Sequence, residues 1–520
     1  MCPLTLDGER LEIDDVVRVA DAWRNPGVIS VHLAAAARRR VVSCRNVVDR
    51  LVQRAAIVYG VTTGFGAFKN RAIGAEQAAR LQENLLMSHA VGVGRPLPEQ
   101  IIRAAMLIRA NTLAKGYSGI RVETLTALLE MINRGVHPIV PEQGSVGASG
   151  DLAPLAHMAL VLIGKGEASY RGQRMPGADA MRLAHLSPVV LQAKEGVALI
   201  NGTSVMAAIG SIAVHRARQL LETADAVASL SLEALRGSLT PFDARLHAVR
   251  PHVGQTACAD HMRELLEGSQ LVRDKEDQVV QDAYTLRCIP QVHGAVRDVI
   301  SHARGVVSIE VNSATDNPLI FQDPDDVALS GGNFHGEPIA LAMDYLGLAL
   351  TSLANMSERR IARLLDPATN ENVLPPFLTE HGGVNSGFMM VQYTAAALAS
   401  ENKVLAHPAS ADSIPTSANV EDHVSMGASA ARKAIQIIEH AETIIAIEAL
   451  CAAQGIDLRR RCDSARCLGK GTTAVFSCLR EKVPFIAEDQ VMYPHIATVQ
   501  EMVQSGKLAD SALRALSGCS

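Results

Sequence analysis

Residues 206–236, MAAIGSIAVHRARQLLETADAVASLSLEALR, hold a helical pattern for some thirty residues without a proline. Similar long stretches recur at 338–365, 388–405 and 425–460. Helices in globular proteins average about a dozen residues, so runs of this length point to a bundle whose helices pack nearly antiparallel. Their alanine content permits close approach of neighbouring axes. The expected fold class is mainly α, with a long-helix bundle and a C-terminal helical region over residues 206–520. No fixed-period repeat and no low-complexity linker is visible, so the pieces read as one continuous body.

The first 205 residues have a different texture and are expected to form an N-terminal catalytic domain. Short helical patterns alternate there with glycine-rich turns. The segment 75–90, AEQAARLQENLLMSHA, places Leu81, Leu85 and Met87 near one helical face. Residues 99–135 read as two helices broken around Lys115-Gly116-Tyr117. Pro138 and Pro141 bracket a loop within GVHPIVPEQGSVGASGD, after which a helix starts near Leu152. Strand signals are few; ASYRGQRM, following Glu167, reads as a hairpin insert.

Composition narrows the function classes. With 48% hydrophobic and 20% charged residues, the chain has ample material for a large core and does not resemble a disordered protein. A net charge of −5 without long charged blocks argues against general nucleic-acid binding, and 3% aromatics leave little from which to build base-stacking platforms. The nine cysteines include no C-x-x-C pair and no zinc-ligand spacing, so they read as scattered thiols in a reducing compartment and no metal site is expected. The N-terminus reaches acidic residues before any apolar segment forms, and no apolar run of membrane-crossing length is apparent. A cytoplasmic location is expected.

Several short patterns carry no chemistry in their context. Gly469-Lys470-Gly471-Thr472 lacks the spaced glycine of a phosphate-binding loop. The stretch YGVTTGFG at 59–66 lacks the order of a dinucleotide fingerprint. Ser400-Glu401-Asn402-Lys403 matches S-x-x-K but lies in a helical run without companion motifs.

The loop QGSVGASGD at 143–151 is different. Ser149 is suited to capping the following helix, and that ordinary role is one reading. The triplet Ala148-Ser149-Gly150 also meets the requirements of backbone cyclisation. Gly150 offers an unhindered amide nitrogen, Ala148 a carbonyl on a small residue, and Ser149 a hydroxyl that leaves as water to give an exocyclic methylidene. Such a product is an electrophile made from the chain itself.

GSVGASGDLAPLAHMALVLIGKGEA at 144–168 resembles the signature of the aromatic amino acid ammonia-lyases and aminomutases, which carry a methylidene-imidazolone (MIO) prosthetic group. YGVTTGFG, NLLMSHAVGVG (84–94), KEGVALINGT (194–203), VQDAYTLRCIPQVHGA (280–295), NSATDNPL (312–319) and GGNFHGEP (331–338) follow in family order. So do NSGFMMVQYTAAALASENK (385–403) and HPASADSIPTSANVEDHVSMG (407–427), and the resemblance covers roughly residues 50–460. It implies a fumarase/aspartase-like helical architecture, an MIO group formed from Ala148, Ser149 and Gly150 with no external cofactor, and a homotetramer with sites shared between subunits.

Within the family the chain is most similar to the histidine-acting members. Phenylalanine- and tyrosine-acting relatives often place Phe-Leu or His-Leu where this chain has Ser88-His89, and Glu421 is a carboxylate the histidine enzymes share. Taken singly, His89 reads as a core histidine and Glu421 as a surface ion-pair partner. Together they suit an imidazole substrate, whose ring offers one N–H donor and one acceptor. A phenyl ring would leave the carboxylate buried and unpaired. Val420 departs from the glutamine usual before this glutamate.

The resemblance implies roles by position. Tyr59 takes the β-proton, Arg287 pairs with the substrate carboxylate, and Asn201 bonds the MIO carbonyl or the substrate amine. Tyr284 and Gln281 line the site and Phe334 packs near the prosthetic group. The expected reaction converts L-histidine to trans-urocanate and ammonia. The alternatives are a 2,3-aminomutase giving β-histidine, a phenylalanine or tyrosine ammonia-lyase, and a helical scaffold without chemistry.

Overall fold

The computed structural model describes residues 2–54, 56–64, 73–273, 280–322, 326–462 and 465–518. Long helices dominate, as the apolar periodicity predicts: Ser204–Ala234, Glu337–Leu365, Met389–Leu405 and Gly427–Cys462. A further long helix, Ile289–Glu310, has no counterpart among the expectations. Pro290 and Gly294 near its start act as breaker signals, yet proline is tolerated in a first turn because its missing N–H would have no partner there.

The chain folds into two compact units. The first comprises residues 1–215, 303–344 and 408–432; the second comprises 216–302, 345–407 and 433–520. This differs from contiguous parts meeting at residue 205. Four of the five crossing points fall inside long helices, which continue through them with no local change in sequence character.

In the first unit, helices Glu99–Ala114 and Val122–Arg134 are separated by the break around Lys115 to Tyr117, and Gly135 ends the second in a left-handed C-cap. The helix Ala75–His89 buries Leu85 and Leu86, whereas Met87 is exposed, so Met87 does not share the buried face expected for it. Among the described residues, four small sheets decorate this unit. Cys2–Leu6 pairs in parallel with Ile29–Leu33, and Val93–Pro96 pairs antiparallel with Pro141–Gln143. Val136–Pro138, Glu167–Tyr170 and Gln173–Pro176 form a three-stranded antiparallel sheet that includes the expected hairpin. Leu319–Phe321 pairs with Val327–Leu329.

The second unit packs its long helices around a buried ionic network. Asp225 accepts from His293 Nδ1 at 2.7 Å, from Arg297 Nη2 at 2.8 Å and from His261 Nδ1 at 3.1 Å. Arg360 and Glu448, both fully buried, make a two-pronged pair at 2.6 and 2.9 Å, and Ser231 donates to the same carboxylate. Burying a charge is costly unless pairing and hydrogen bonds of this kind offset it. Among the described residues one helix, Glu337–Leu365, is long and apolar enough to cross a membrane, but two-thirds of its most apolar window is buried inside the protein. Its hydropathy is that of a core helix.

Candidate active site

The turn carrying Ala148-Ser149-Gly150 is built by glycines. Gly147 and Gly150 face each other as an isolated antiparallel bridge, which puts Ala148 and Ser149 at the tip of a tight turn. Gly150 has φ +74°, and a Cβ there would overlap the carbonyl of Gly202. Gly147 has φ +75°, with Ser425 Oγ occupying the space a Cβ would need. Only glycine meets both constraints at each position. The turn is tied down by Gly202 N donating to Ser149 O (3.1 Å) and Asp151 N donating to Gly202 O (2.7 Å). Ser149 does not cap the helix Leu152–Leu162; its N-cap residue is Asp151.

Asp151 has a different task. Its Oδ2 accepts from the backbone N–H groups of Val205 (2.8 Å) and Met206 (2.9 Å), satisfying the first turn of Ser204–Ala234 from 54 residues away. Burial pushes its carboxyl up to about 7, partly offset by those two donors. Arg109, fully buried, donates to the carbonyls of Ala198 and Thr315 (3.1 Å for the latter) and so braces the segment holding Asn201 and Gly202.

A cavity of about 730 Å³ opens beside this turn, within the range of small-molecule sites. Tyr59, His89, Ser149, Asn201 and Glu421 all line it, together with an apolar wall that includes Leu81, Leu85 and Leu152. Tyr59 sits half-buried in a turn pinned by two threonine hydroxyls: Thr62 Oγ1 accepts from Val58 N (2.9 Å) and Thr63 Oγ1 from Gly60 N (3.3 Å). Phe65 and Gly66, the end of that motif, lie outside the described residues. Asn201 donates Nδ2–H to Asn317 O at 2.9 Å, while its Oδ1 is buried with no partner.

The pair expected to read an imidazole ring lies on this cavity. Burial lowers the pKa of His89, with the Leu85 carbonyl and the nearby charge of Glu421 pulling it back, so the ring is neutral around pH 7. Its Nδ1 lies 3.1 Å from Ser88 Oγ. Glu421 is held by Thr416, whose backbone exchanges hydrogen bonds with it and whose Oγ1 donates to its Oε2 at 3.1 Å. Between them Ser417, Ala418 and Asn419 run through three successive left-handed conformations, φ 51°, 53° and 64°. Strain of this kind persists where surrounding structure fixes it, commonly at binding sites.

Comparison with known proteins identifies the family. A family model described as aromatic amino acid lyase matches residues 11–481. The chain belongs to the aromatic amino acid lyase family. It is 57% identical over 98% of its length to a histidine ammonia-lyase of Chloroflexus aurantiacus, of which it covers 97%. Among solved structures it resembles histidine ammonia-lyase from Trypanosoma cruzi, with TM-score 0.90 and 42% identity over 99% of this chain and 95% of that one. It also resembles a tyrosine aminomutase from Streptomyces globisporus, with TM-score 0.92 and 38% identity over 98% of both chains.

Not every residue that the family resemblance nominates gathers at the cavity. Phe334 is half-buried in the first unit and does not line it. Gln281, Tyr284 and Arg287 belong to the second unit and do not line it either. Gln281 and Tyr284 are exposed, and the Arg287 guanidinium rests 4.4 Å from the Tyr284 ring centroid with no carboxylate partner among the described residues. Val420 is half-exposed and is not among the residues lining the cavity. Asp151, Arg109 and Thr416 were not singled out from sequence. For Arg109 a signal exists: it is the one charged residue within AAMLIRANTLA at 104–114.

Proposed function

We propose that this member of the aromatic amino acid lyase family removes ammonia from L-histidine, giving trans-urocanate. The observation that carries the reading is His89 and Glu421 lining one cavity with Ser149 and Tyr59. An imidazole ring satisfies a neutral histidine and a carboxylate, whereas a phenyl or phenol ring leaves at least one of them unpaired in a desolvated site. The full-length identity to a histidine ammonia-lyase supports the same substrate.

The residues present fit an MIO group at Ala148-Ser149-Gly150. The left-handed glycine at the attacking position, the tight 147–150 turn and the orphaned Asn201 Oδ1 on the shared cavity all favour it. Once formed, that group supplies an electrophilic carbon for the substrate's amine, covalent catalysis that turns a poor leaving group into a better one. The remaining work belongs to side chains. Asn201 Oδ1 accepts an amine N–H. His89 and Glu421 fix the ring, and with it the β-carbon, toward Tyr59. Tyr59 is the base that removes the β-proton.

Arg287 has no acidic partner among the described residues, and its fork suits the substrate carboxylate. With Tyr284 and Gln281 it is best supplied by another copy of the chain in a homotetramer. Four buried free thiols, Cys44, Cys258, Cys451 and Cys478, suit a reducing, cytoplasmic setting.

The test is the appearance of urocanate absorbance with L-histidine, run beside L-phenylalanine and L-tyrosine. Turnover of either aromatic with none of histidine would sink the reading. The likeness to a tyrosine aminomutase makes β-histidine the second product to seek, by chromatography of the same reactions.

A further inference from the structure

Apart from the cavity, the first unit brings together two imidazoles and a carboxylate from segments far apart in sequence. His335 and Glu337 lie at the start of the helix Glu337–Leu365, and His423 follows Glu421 by two positions. One donor atom from each of the three falls within 4.8 Å of the others. The two rings stack nearly parallel, 6° between planes and 5.7 Å between centroids. Glu337 Oε2 is cut off from solvent, accepts no hydrogen bond and lies 4.0 Å from His423 Nε2. No lysine or arginine pairs with it among the described residues. None of the three side chains lines the cavity.

We infer that His335, Glu337 and His423 form a binding site for a divalent transition-metal cation of the zinc type. A buried carboxylate oxygen without a donor is costly unless a cation answers it. Two imidazoles beside it select a borderline metal over calcium or magnesium, which prefer oxygen-only shells. Metal–ligand bonds near 2.0–2.2 Å separate tetrahedral donors by roughly 3.3–3.5 Å, so binding draws the three donors together and displaces one of the bonds the His335 ring now makes, from Glu337 N at 3.3 Å or to His423 O at 3.4 Å. The exposed side leaves room for water to complete the shell.

The other such cluster, Asp225 with Cys258 and His293, lacks this character. Arg297 already pairs with Asp225 there, and a second cation has no unanswered charge to meet. A cation at the first cluster ties the segment carrying Glu421 to the start of Glu337–Leu365. Metal binding there is independent of which amino acid the enzyme consumes.

The test uses the full-length protein stripped with EDTA and then dialysed against Zn²⁺, with bound metal measured by elemental analysis. One zinc per chain is expected. His335→Ala, His423→Ala and the near-isosteric Glu337→Gln each weaken binding by at least about tenfold, with circular dichroism confirming the fold. Cobalt substitution is expected to give nitrogen- and oxygen-ligand d–d bands that fade in the variants. No zinc on the parent chain, equal binding in all variants, or a thiolate charge-transfer band from exposed Cys462 or Cys467 each overturns the site.

Discussion

Gly150 and Ser149 are neighbours with separable demands. At Gly150 the backbone is left-handed and a Cβ would overlap the Gly202 carbonyl, so Gly150→Ala strains the turn and hinders the amide nitrogen together. This variant is expected to lose both activity and at least about 2 kcal/mol of stability, from backbone strain plus steric overlap. Ser149→Ala keeps the turn but removes the hydroxyl that formation of the proposed MIO group loses as water. It is expected to melt within about 1 °C of the parent, a shift corresponding to about 1 kcal/mol for a chain of 520 residues, while intact mass no longer shows the loss of two waters and activity disappears. Normal turnover by Ser149→Ala would exclude the prosthetic group.

The Thr416 hydroxyl bonds the Glu421 carboxylate at 3.1 Å. Thr416→Val keeps shape and removes the donor, a bond to a charged acceptor being worth about 1.5–3 kcal/mol. The expectation is a rise of roughly tenfold in KM for L-histidine with a smaller change in kcat. An unchanged KM would mean that Glu421 is positioned by the left-handed turn alone.

Among the elements, the start of Ser204–Ala234 is capped by a residue outside it, and the cap carries a pH dependence. Burial raises Asp151 to about 7, above the usual carboxylate range near 4 in an unfolded chain. The folded state therefore binds this proton more tightly, so the contribution is full below about pH 4 and is lost as pH rises through about 7. Relative to Asp151→Asn, the parent's thermal midpoint is expected to fall across that window; a flat difference would contradict it.

In the second unit, Asp225→Ala leaves Arg297, His261 and His293 facing an absent acceptor. A cost of about 3–5 kcal/mol is expected from chemical denaturation, whereas an effect under about 1 kcal/mol would mean that water replaces the carboxylate. Such elements differ in how far sequence reveals them. Gly427–Cys462 is readable because its apolar period is internal to it. The Asp151 cap is not, since its partners lie 54 residues away and no local spacing encodes them. His89 and Glu421 were legible through ordered motifs; the three left-handed residues before Val420 were not, because none is glycine.

For the whole molecule, the roles proposed for Gln281, Tyr284 and Arg287 require that they reach a substrate held in the cavity. They sit in the second unit, while the cavity is lined by residues of the first. Long helices of the chain also leave large apolar side chains exposed: Leu341, Tyr345 and Leu348 on one, Met390, Tyr393 and Val404 on another. Apolar surface of this kind marks association, and copies joined by closed symmetry would cover it. If one chain brings Ser149 and another brings Arg287, two differently disabled variants repair each other. Ser149→Ala and Arg287→Ala are each expected to be inactive alone. Refolded together in equal amounts, random assembly places an intact Ser149 opposite an intact Arg287 in about a quarter of sites. Activity near a quarter of the parent's is expected, because a site drawn from one chain always carries one of the two defects. Mixed oligomers that form, yet stay inactive, would put both residues of each site on a single chain.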